Sequence, residues 1–368
     1  MSGKVKKHEP PFHIAKRDSL PAYKSWGIRL AAIIIALIVA GIVTMLLTGE
    51  NPISVYGTMI DGAFGSSRRV WKLLQNLAML LCVSLAVTPA FKMRFWNIGA
   101  EGQVLIGGLA TAGCMIMLGG KLPNALLIIV MIAASMLAGA VWALIPAFFK
   151  AKFNTNETLF TLMMNYVGIQ LVSYFEMYWE NPKGSSNIGI INQATHDGWL
   201  PVIGNYDYLL NVIVVLALTV FMYIYLKYSK HGYELTVVGE SENTARYIGV
   251  NVKKVILRTM ALSGAICGIA GLLLVSGTNH TLSTTTAGGR GFTAIMVSWL
   301  AKFNPIVMVL TSLLLAFLNC GAGEISTVYG FNESFSDIIT GIILFFIIGS
   351  EFFINYQIKF HRSGKEVK

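Results

Sequence analysis

From Gly27 to Phe353 the sequence is a succession of apolar runs bounded by polar or glycine-rich residues, and this alternation leaves one class of fold open. The runs cover residues 27–48, 73–91, 98–118, 122–149, 158–179, 208–228, 255–276, 291–301, 306–320 and 338–353. Crossing a bilayer takes about 20 residues of helix, because in hydrocarbon every backbone N–H and C=O has to be satisfied within the segment. The runs at 291–301 and 306–320 fall short of that length. With 55% of its 368 residues hydrophobic and 12% charged, the chain has too little polar surface for a water-soluble globule. The expectation is an all-α integral membrane protein of about ten transmembrane helices, with a short broken or re-entrant helix in its second half.

The basic residues set the expected topology, since Lys and Arg near span ends are retained in the cytoplasm. Lys4, Lys6, Lys7, Lys16, Arg17 and Lys24 mark a basic cytoplasmic tail over 1–26, ahead of a transmembrane body over 27–358. Lys227, Lys230, Arg246, Lys253, Lys254 and Arg258 mark an internal cytoplasmic interval over 229–254, and Lys359, Arg362, Lys365 and Lys368 a second tail over 359–368. The opposite side collects Arg68, Arg69, Lys72, Lys121, Lys183 and Arg290, so both termini are expected inside. The run at 27–48 is too long for a signal-peptide core and reads as a retained first span. A net charge of +10 would otherwise point to nucleic acid, but the basic residues form no stripe with interleaved aromatics. Membrane lipid is the expected partner and nucleic acid is not. The longest external loop, about 180–207, holds Trp199 and Tyr206 as interface anchors, either as a solvated loop or as a seat for a partner.

Polar residues inside apolar spans are costly and therefore informative. Asn97, Glu101 and Gln103, in Arg94-Phe95-Trp96-Asn97-Ile98-Gly99-Ala100-Glu101-Gly102-Gln103, need the bundle interior, a water-filled path, or a helix start where Glu101 meets the positive end of the dipole. Asn165 lies two turns into the run at 158–179 and is either a pore-lining group or an interhelical hydrogen-bond partner. Asn156 or Thr155 caps that run. Thr284 to Phe292 is a Thr- and Gly-rich helix entry whose amides can face an anionic ligand, or a flexible turn. Asn319 completes the candidate translocation path. FWNIGAEGQVLIGG and GRGFTAIMVSWLAKFNP each join a glycine-rich turn to a span, one in each half, as a weak internal repeat.

The interval from Tyr228 to Lys254 predicts a short helix from about Glu242 to Ile248. Ser241 caps it, Glu242 and Arg246 pair at i,i+4, and Gly249 ends it. From local chemistry it is either an ordinary loop or a docking surface. Cys82, Cys114, Cys267 and Cys320 lack CxxC spacing, and the six histidines lack metal-ligand spacing, so neither a disulfide framework nor a metal site is expected. There is no GxxxxGK[ST], HExxH or GxSxG, hence no catalytic residue and no bound cofactor in this chain. Transport is the economical reading. A proton-coupled secondary transporter would use Glu101 as its proton site.

Four segments in order, FWNIGAEGQVLIGG, NETLFTLMMNYV, VGESENTARYIGVNVKKVILRTMALSGAICGIAGL and GGRGFTAIMVSWLAKFNP, resemble the permease subunits of bacterial ATP-binding-cassette importers of the nucleoside and simple-sugar branch. The resemblance implies a multi-pass protein of the bacterial cytoplasmic membrane, not itself an enzyme, working by alternating access. It implies partners: an ATP-binding-cassette ATPase, in tandem form, that binds ATP and Mg; a second permease chain, identical or different; and an external substrate-binding lipoprotein or periplasmic protein. It also implies that Gly239, Glu240, Asn243, Ala245, Arg246, Tyr247 and Gly249 couple to the ATPase, while Glu242 and Thr244 depart from the pattern. FWNIGAEGQ is similar to nucleoside-uptake permeases, with ribose- or galactose-type sugars or branched-chain amino acids as the alternative cargo.

Overall fold

Each apolar run folds as a helix, and the breaks between them fall at glycine, proline and capping asparagine. The computed structural model describes residues 12–17, 21–204, 206 and 208–360; the rest of the two expected tails lies outside the described residues, as do Asn205 and Asp207 of the external loop. Two compact units are present, one made of Met1–Ser66 with Leu318–Lys368 and the other of Ser67–Phe317.

The first unit holds α1 (Ala22–Thr48), α2 (Pro52–Phe64), the last turns of α12 (Pro305–Tyr329) and α13 (Glu333–Asn355). Helices α1 and α13 pack together, and Arg29 pairs with Glu351 between them at 2.5 Å. Helix α2 lies between the first two expected spans, in a stretch with no expected element. It forms because Asn51 caps it by accepting from the Ile53 amide at 3.0 Å, and Pro52, with its fixed φ, sits at the first helical position. Part of the expected tails is ordered too: β1 (Phe12–Lys16) pairs antiparallel with β2 (Tyr356–Phe360), Phe12 opposite Phe360 and Lys16 opposite Tyr356.

The second unit runs from α3 (Ser67–Lys92) through α4 (Ala100–Leu118), α5 (Asn124–Phe153), α6 (Glu157–Tyr178) and α7 (Leu209–Tyr228). The short α8 (Lys230–Glu240) and α9 (Glu242–Tyr247) follow, then α10 (Val252–Leu274), a π-helical turn (Val275–Asn279), and α11 (Arg290–Leu300). Asn156 caps α6, accepting from the Leu159 amide at 3.2 Å.

Helix α10 is the centre of this unit, packed on α3, α4 and α5. Lipid gives no hydrophobic drive between helices, so close backbone approach and dispersion take its place. The Gly264–Gly268 pair, a GxxxG spacing, provides it. A Cβ on Gly264 would lie 2.2 Å from the Gly139 carbonyl oxygen, and one on Gly268 would lie 2.1 Å from that of Ser135. Any side chain larger than hydrogen would force α5 away.

Eight helices among the described residues are long and apolar enough to cross a membrane: α1, α3, α4, α5, α7, α10 with its π turn, α12 and α13. Of the two remaining expected spans, α6 has the length at 22 residues but carries Glu157, Asn165 and Glu176. The other, α11, has 11 residues, a rise of about 16 Å and so half of a bilayer core. It is the short helix expected in the second half. Helix α12 instead extends to Tyr329, 25 residues in all, well past the expected end at Cys320.

Candidate functional site

The break between α3 and α4 is built by Arg94, which takes a left-handed φ of 61° after the last turn of α3, and by Asn97, which accepts from the Gly99 amide at 3.1 Å in an Asx-type turn. Asn97 is fully buried. Its amide pairs reciprocally with that of Gln103, at 3.1 and 3.4 Å, and also donates to Ser263 of α10 at 3.3 Å. Asn165 reaches across from α6: its oxygen accepts from the Gly102 amide and its nitrogen donates to the Ile98 carbonyl, both at 2.8 Å. The interhelical reading of Asn165 is therefore the observed one, and Thr161 adds a second hold by accepting from the Ile98 amide at 3.2 Å.

Glu101 lies in the first turn of α4, but its partner is a different helix. One carboxylate oxygen accepts from the Gly289 amide and the other from the Gly291 amide, each at 2.7 Å. Gly289 is the N-cap of α11 and has no side chain to satisfy the first amides of that helix. Glu101 supplies both acceptors and places a negative charge at the positive end of α11. The backbones touch: a Cβ on Gly291 would lie 2.4 Å from the Glu101 nitrogen. Of the two readings of the entry at Thr284 to Phe292, a turn or a set of amides facing an anion, the amides of Gly289 and Gly291 do face an anion, and it is Glu101 of this chain.

The two segments read as a weak repeat thus meet. Trp96 stacks on Trp299 with ring centroids 5.8 Å apart, and Phe91 lies edge-on to both. A further contact escaped the sequence reading: Ser298 of α11 donates to the Ser84 carbonyl and lies 3.0 Å from Thr88, both on α3. Only the repeat of small hydroxyls one turn apart at 84 and 88 marked it. Four of the five expected path residues, Asn97, Glu101, Gln103 and Asn165, form this one buried group. The fifth, Asn319, is exposed on α12 within the first unit.

The expected short helix after Ser241 is α9. The Ser241 hydroxyl accepts from the Thr244 amide at 3.3 Å, Glu242 pairs with Arg246 at 3.1 Å, and Gly249 closes the helix at φ 85°. Val250 donates to the Ala245 carbonyl and Gly249 to that of Arg246, the paired bonds of a Schellman motif. Ala245 is fully buried and anchors the helix, whereas Glu240, Asn243, Arg246 and Gly249 are exposed and Tyr247 is 92% exposed. Gly239 belongs to a different environment. It is buried at the end of α8, where a Cβ would lie 2.2 Å from the Lys92 carbonyl oxygen, so its hydrogen side chain is needed for α8 to lie against the end of α3.

On the loop between α6 and α7, Trp199 is not a free anchor. Its indole donates to the Ile191 carbonyl at 2.9 Å and it is sandwiched between His196 and His280, at 4.3 and 3.6 Å between centroids. Burial, with His196 nearby, holds His280 below the usual imidazole range. The π turn before it is tied to α7, where Asn211 donates to the Gly277 carbonyl at 3.3 Å and to Thr278 at 3.2 Å. The polar string Ser276-Gly277-Thr278-Asn279 at the end of an apolar run was its sequence signal. Among the described residues no group of His, Cys, Asp or Glu could hold a metal ion, and Cys82, Cys114 and Cys267 carry free thiols.

A multi-pass helical bundle with a half-length helix seated on an internal carboxylate, and a short exposed helix held between two spans, defines a membrane transport component. The family described as branched-chain amino acid transport system / permease component matches residues 69–348, and the chain belongs to it. It is 31% identical over 334 residues to a guanosine ABC transporter permease protein of Bacillus subtilis, covering 90% of this chain and 94% of the relative. It is 29% identical to a glucose ABC transporter permease protein of Haloferax volcanii over 95% of this chain and 94% of the relative. It is 26% identical to a nucleoside ABC transporter permease protein of Lactococcus lactis, over 86% and 89%. The chain is a multi-pass permease subunit of an ATP-binding-cassette importer, a transport component rather than an enzyme, and such systems include ATPase and substrate-binding partners.

Proposed function

We propose that this chain forms part of the pathway of an ATP-driven nucleoside importer, with both termini and the 229–254 interval in the cytoplasm. The observation that carries the cargo is the likeness to the guanosine and nucleoside permeases over most of both chains. ATP and Mg are bound by a partner ATPase in tandem form. A second permease chain and an external lipoprotein or periplasmic binding protein complete the assembly.

In this reading α9 is the coupling helix. Glu240, Asn243, Arg246, Tyr247 and Gly249 face the ATPase, while Ala245 and Gly239 hold the helix to the bundle. The exposure of Tyr247, 92% in a residue with a large apolar ring, supports a surface that a partner covers. Glu101 frames the path by fixing α11 against α4, Asn97 and Gln103 by tying the start of α4 to α10, and Asn165 by tying it to α6; Asn319 on α12 is kept as the fifth path residue. The proton-site role of Glu101 is disfavoured, because both carboxylate oxygens already accept from backbone amides.

The test is uptake of labelled guanosine, adenosine, glucose and leucine by cells carrying the whole system, with the proton gradient collapsed and ATP maintained. Nucleoside uptake that persists supports the reading. Glucose uptake alone would favour the second reading, for which the Haloferax volcanii relative speaks; loss of uptake with the gradient would sink the ATP-driven mechanism.

A further inference from the structure

Behind α9 lies a cavity of about 460 Å³ bounded by α8, the return from α9 and the first turns of α10. Its polar lining is Lys230, His231 and Glu234 from α8, Asn251 from the return, and Lys254 and Arg258 from α10. Glu234 is the one acid among these. It is already taken by Arg258, at 2.9 Å. Lys230 and Lys254 are exposed and form no ion pair among the described residues. Two nitrogens of the lining residues have no hydrogen-bond partner among the described residues: Arg258 Nε and His231 Nδ1, both buried. The surplus positive field is visible on Glu234, whose carboxylate is held below the usual range by the hydrogen bond from Arg258 and, less strongly, by Lys230 and His231.

The depth of the cavity follows from the chain. It opens where α7 has ended, at Tyr228, and where α10 enters, at Val252. Tyr223, Tyr225 and Tyr228 crowd the last turns of α7 and Tyr233 follows on α8, with Tyr228 and Tyr233 more than 60% exposed. Tyrosine collects at the headgroup level of a bilayer, where its ring is in apolar surroundings and its hydroxyl is wet. A cationic cavity at that depth meets lipid phosphates in preference to the bulk solution.

We infer that this cavity binds a phosphate group, and specifically the headgroup phosphate of an anionic lipid, gripped by Lys230 and Lys254 beside the Arg258 guanidinium. The phosphate neutralises the positive charge that Glu234, the one lining acid, leaves uncompensated. The site goes beyond the transport reading and does not depend on what docks on α9. Because Gly249, Val250 and Asn251 form one wall, the occupant also braces the return from α9 into α10.

The experiment uses the full chain purified in neutral detergent and titrated with phosphatidylglycerol, phosphatidylcholine or inorganic phosphate, read as bound lipid by native mass spectrometry and as shifts in unfolding temperature. Phosphatidylglycerol should bind saturably and phosphatidylcholine should not compete. The double variant Lys230→Gln/Lys254→Gln, at two exposed positions, should retain the wild-type unfolding temperature without lipid and lose about 25-fold in affinity, roughly fivefold for each lysine. Inorganic phosphate that displaces the lipid at equal concentration would keep the phosphate site and assign its occupant to the cytosol. Equal binding of the two lipids by the wild-type chain, or equal binding of phosphatidylglycerol by wild type and variant, would overturn the proposal.

Discussion

The carboxylate of Glu101 and the backbone amide of Gly291 are 190 residues apart in sequence and 2.7 Å apart in the fold. Together with the Gly289 amide, this bond sets the start of α11 against the start of α4. A half-length helix in a membrane has no water to satisfy its first amides, and Glu101 takes that place. Glu101→Ala leaves both amides bare, that of Gly291 buried and that of Gly289 half-buried, at a cost of about 2–4 kcal/mol. Glu101→Gln turns one acceptor into a donor facing a donor and costs less. Both variants should insert normally, unfold at lower temperature in detergent, and lose uptake; wild-type melting in Glu101→Ala would refute the capping role.

Packing through Gly268 is equally testable. Gly268→Val drives a branched side chain into the Ser135 carbonyl, and overpacking of this kind costs about 1–3 kcal/mol. Gly323→Ala on α12 is the control, since a Cβ there meets nothing within 4 Å. Thermal unfolding should separate the two, the first falling by several degrees and the second holding or rising.

Arg246→Ala/Tyr247→Ala should abolish uptake and weaken co-purification of the ATPase while leaving the unfolding temperature unchanged. The stability side of that statement follows from exposure, because the Glu242–Arg246 pair is open to solvent and such pairs contribute about 0.5 kcal/mol or less. Normal uptake by the double variant would remove α9 from the coupling role.

Glu234 gives a pH dependence of definite sign. Its folded-state pKa lies below the unfolded value, chiefly through the hydrogen bond from Arg258. The stability it contributes is therefore complete above the ordinary value of 4.5 and drains away as the pH falls below it through the folded-state value. Unfolding temperatures measured from pH 7 down to about pH 3 should show a steeper acid loss for the wild type than for Glu234→Gln. Identical slopes would place the acid sensitivity elsewhere.

How much of this was legible beforehand differs from residue to residue. Ser241, Glu242, Arg246 and Gly249 lie within one short stretch, and capping, pairing and closure act over three to five residues, so α9 could be read almost to its ends. The cap at Asn156 was readable for the same reason. Asn165 showed its need for a partner but not which one. Glu101 announced a costly charge near a helix start, yet the start it serves belongs to α11. Helix α2 was missed because its 13 residues are too few for a span, and the pairing of β1 with β2 because the two strands lie at opposite ends of the sequence.

The sequence by itself determined that this chain lives in a membrane, which of its apolar runs become helices, and which family it belongs to. Those properties rest on runs of side-chain hydrophobicity and on local backbone chemistry, and each segment carries them alone. Only the tertiary structure decided that Glu101 caps α11, that Asn165 clamps the Ile98–Gly102 backbone, that Gly239 is a packing residue, and that Gly268 sets the distance between α10 and α5. Those contacts join segments tens to hundreds of residues apart. The donors and acceptors involved become specific partners only when packing excludes every other one.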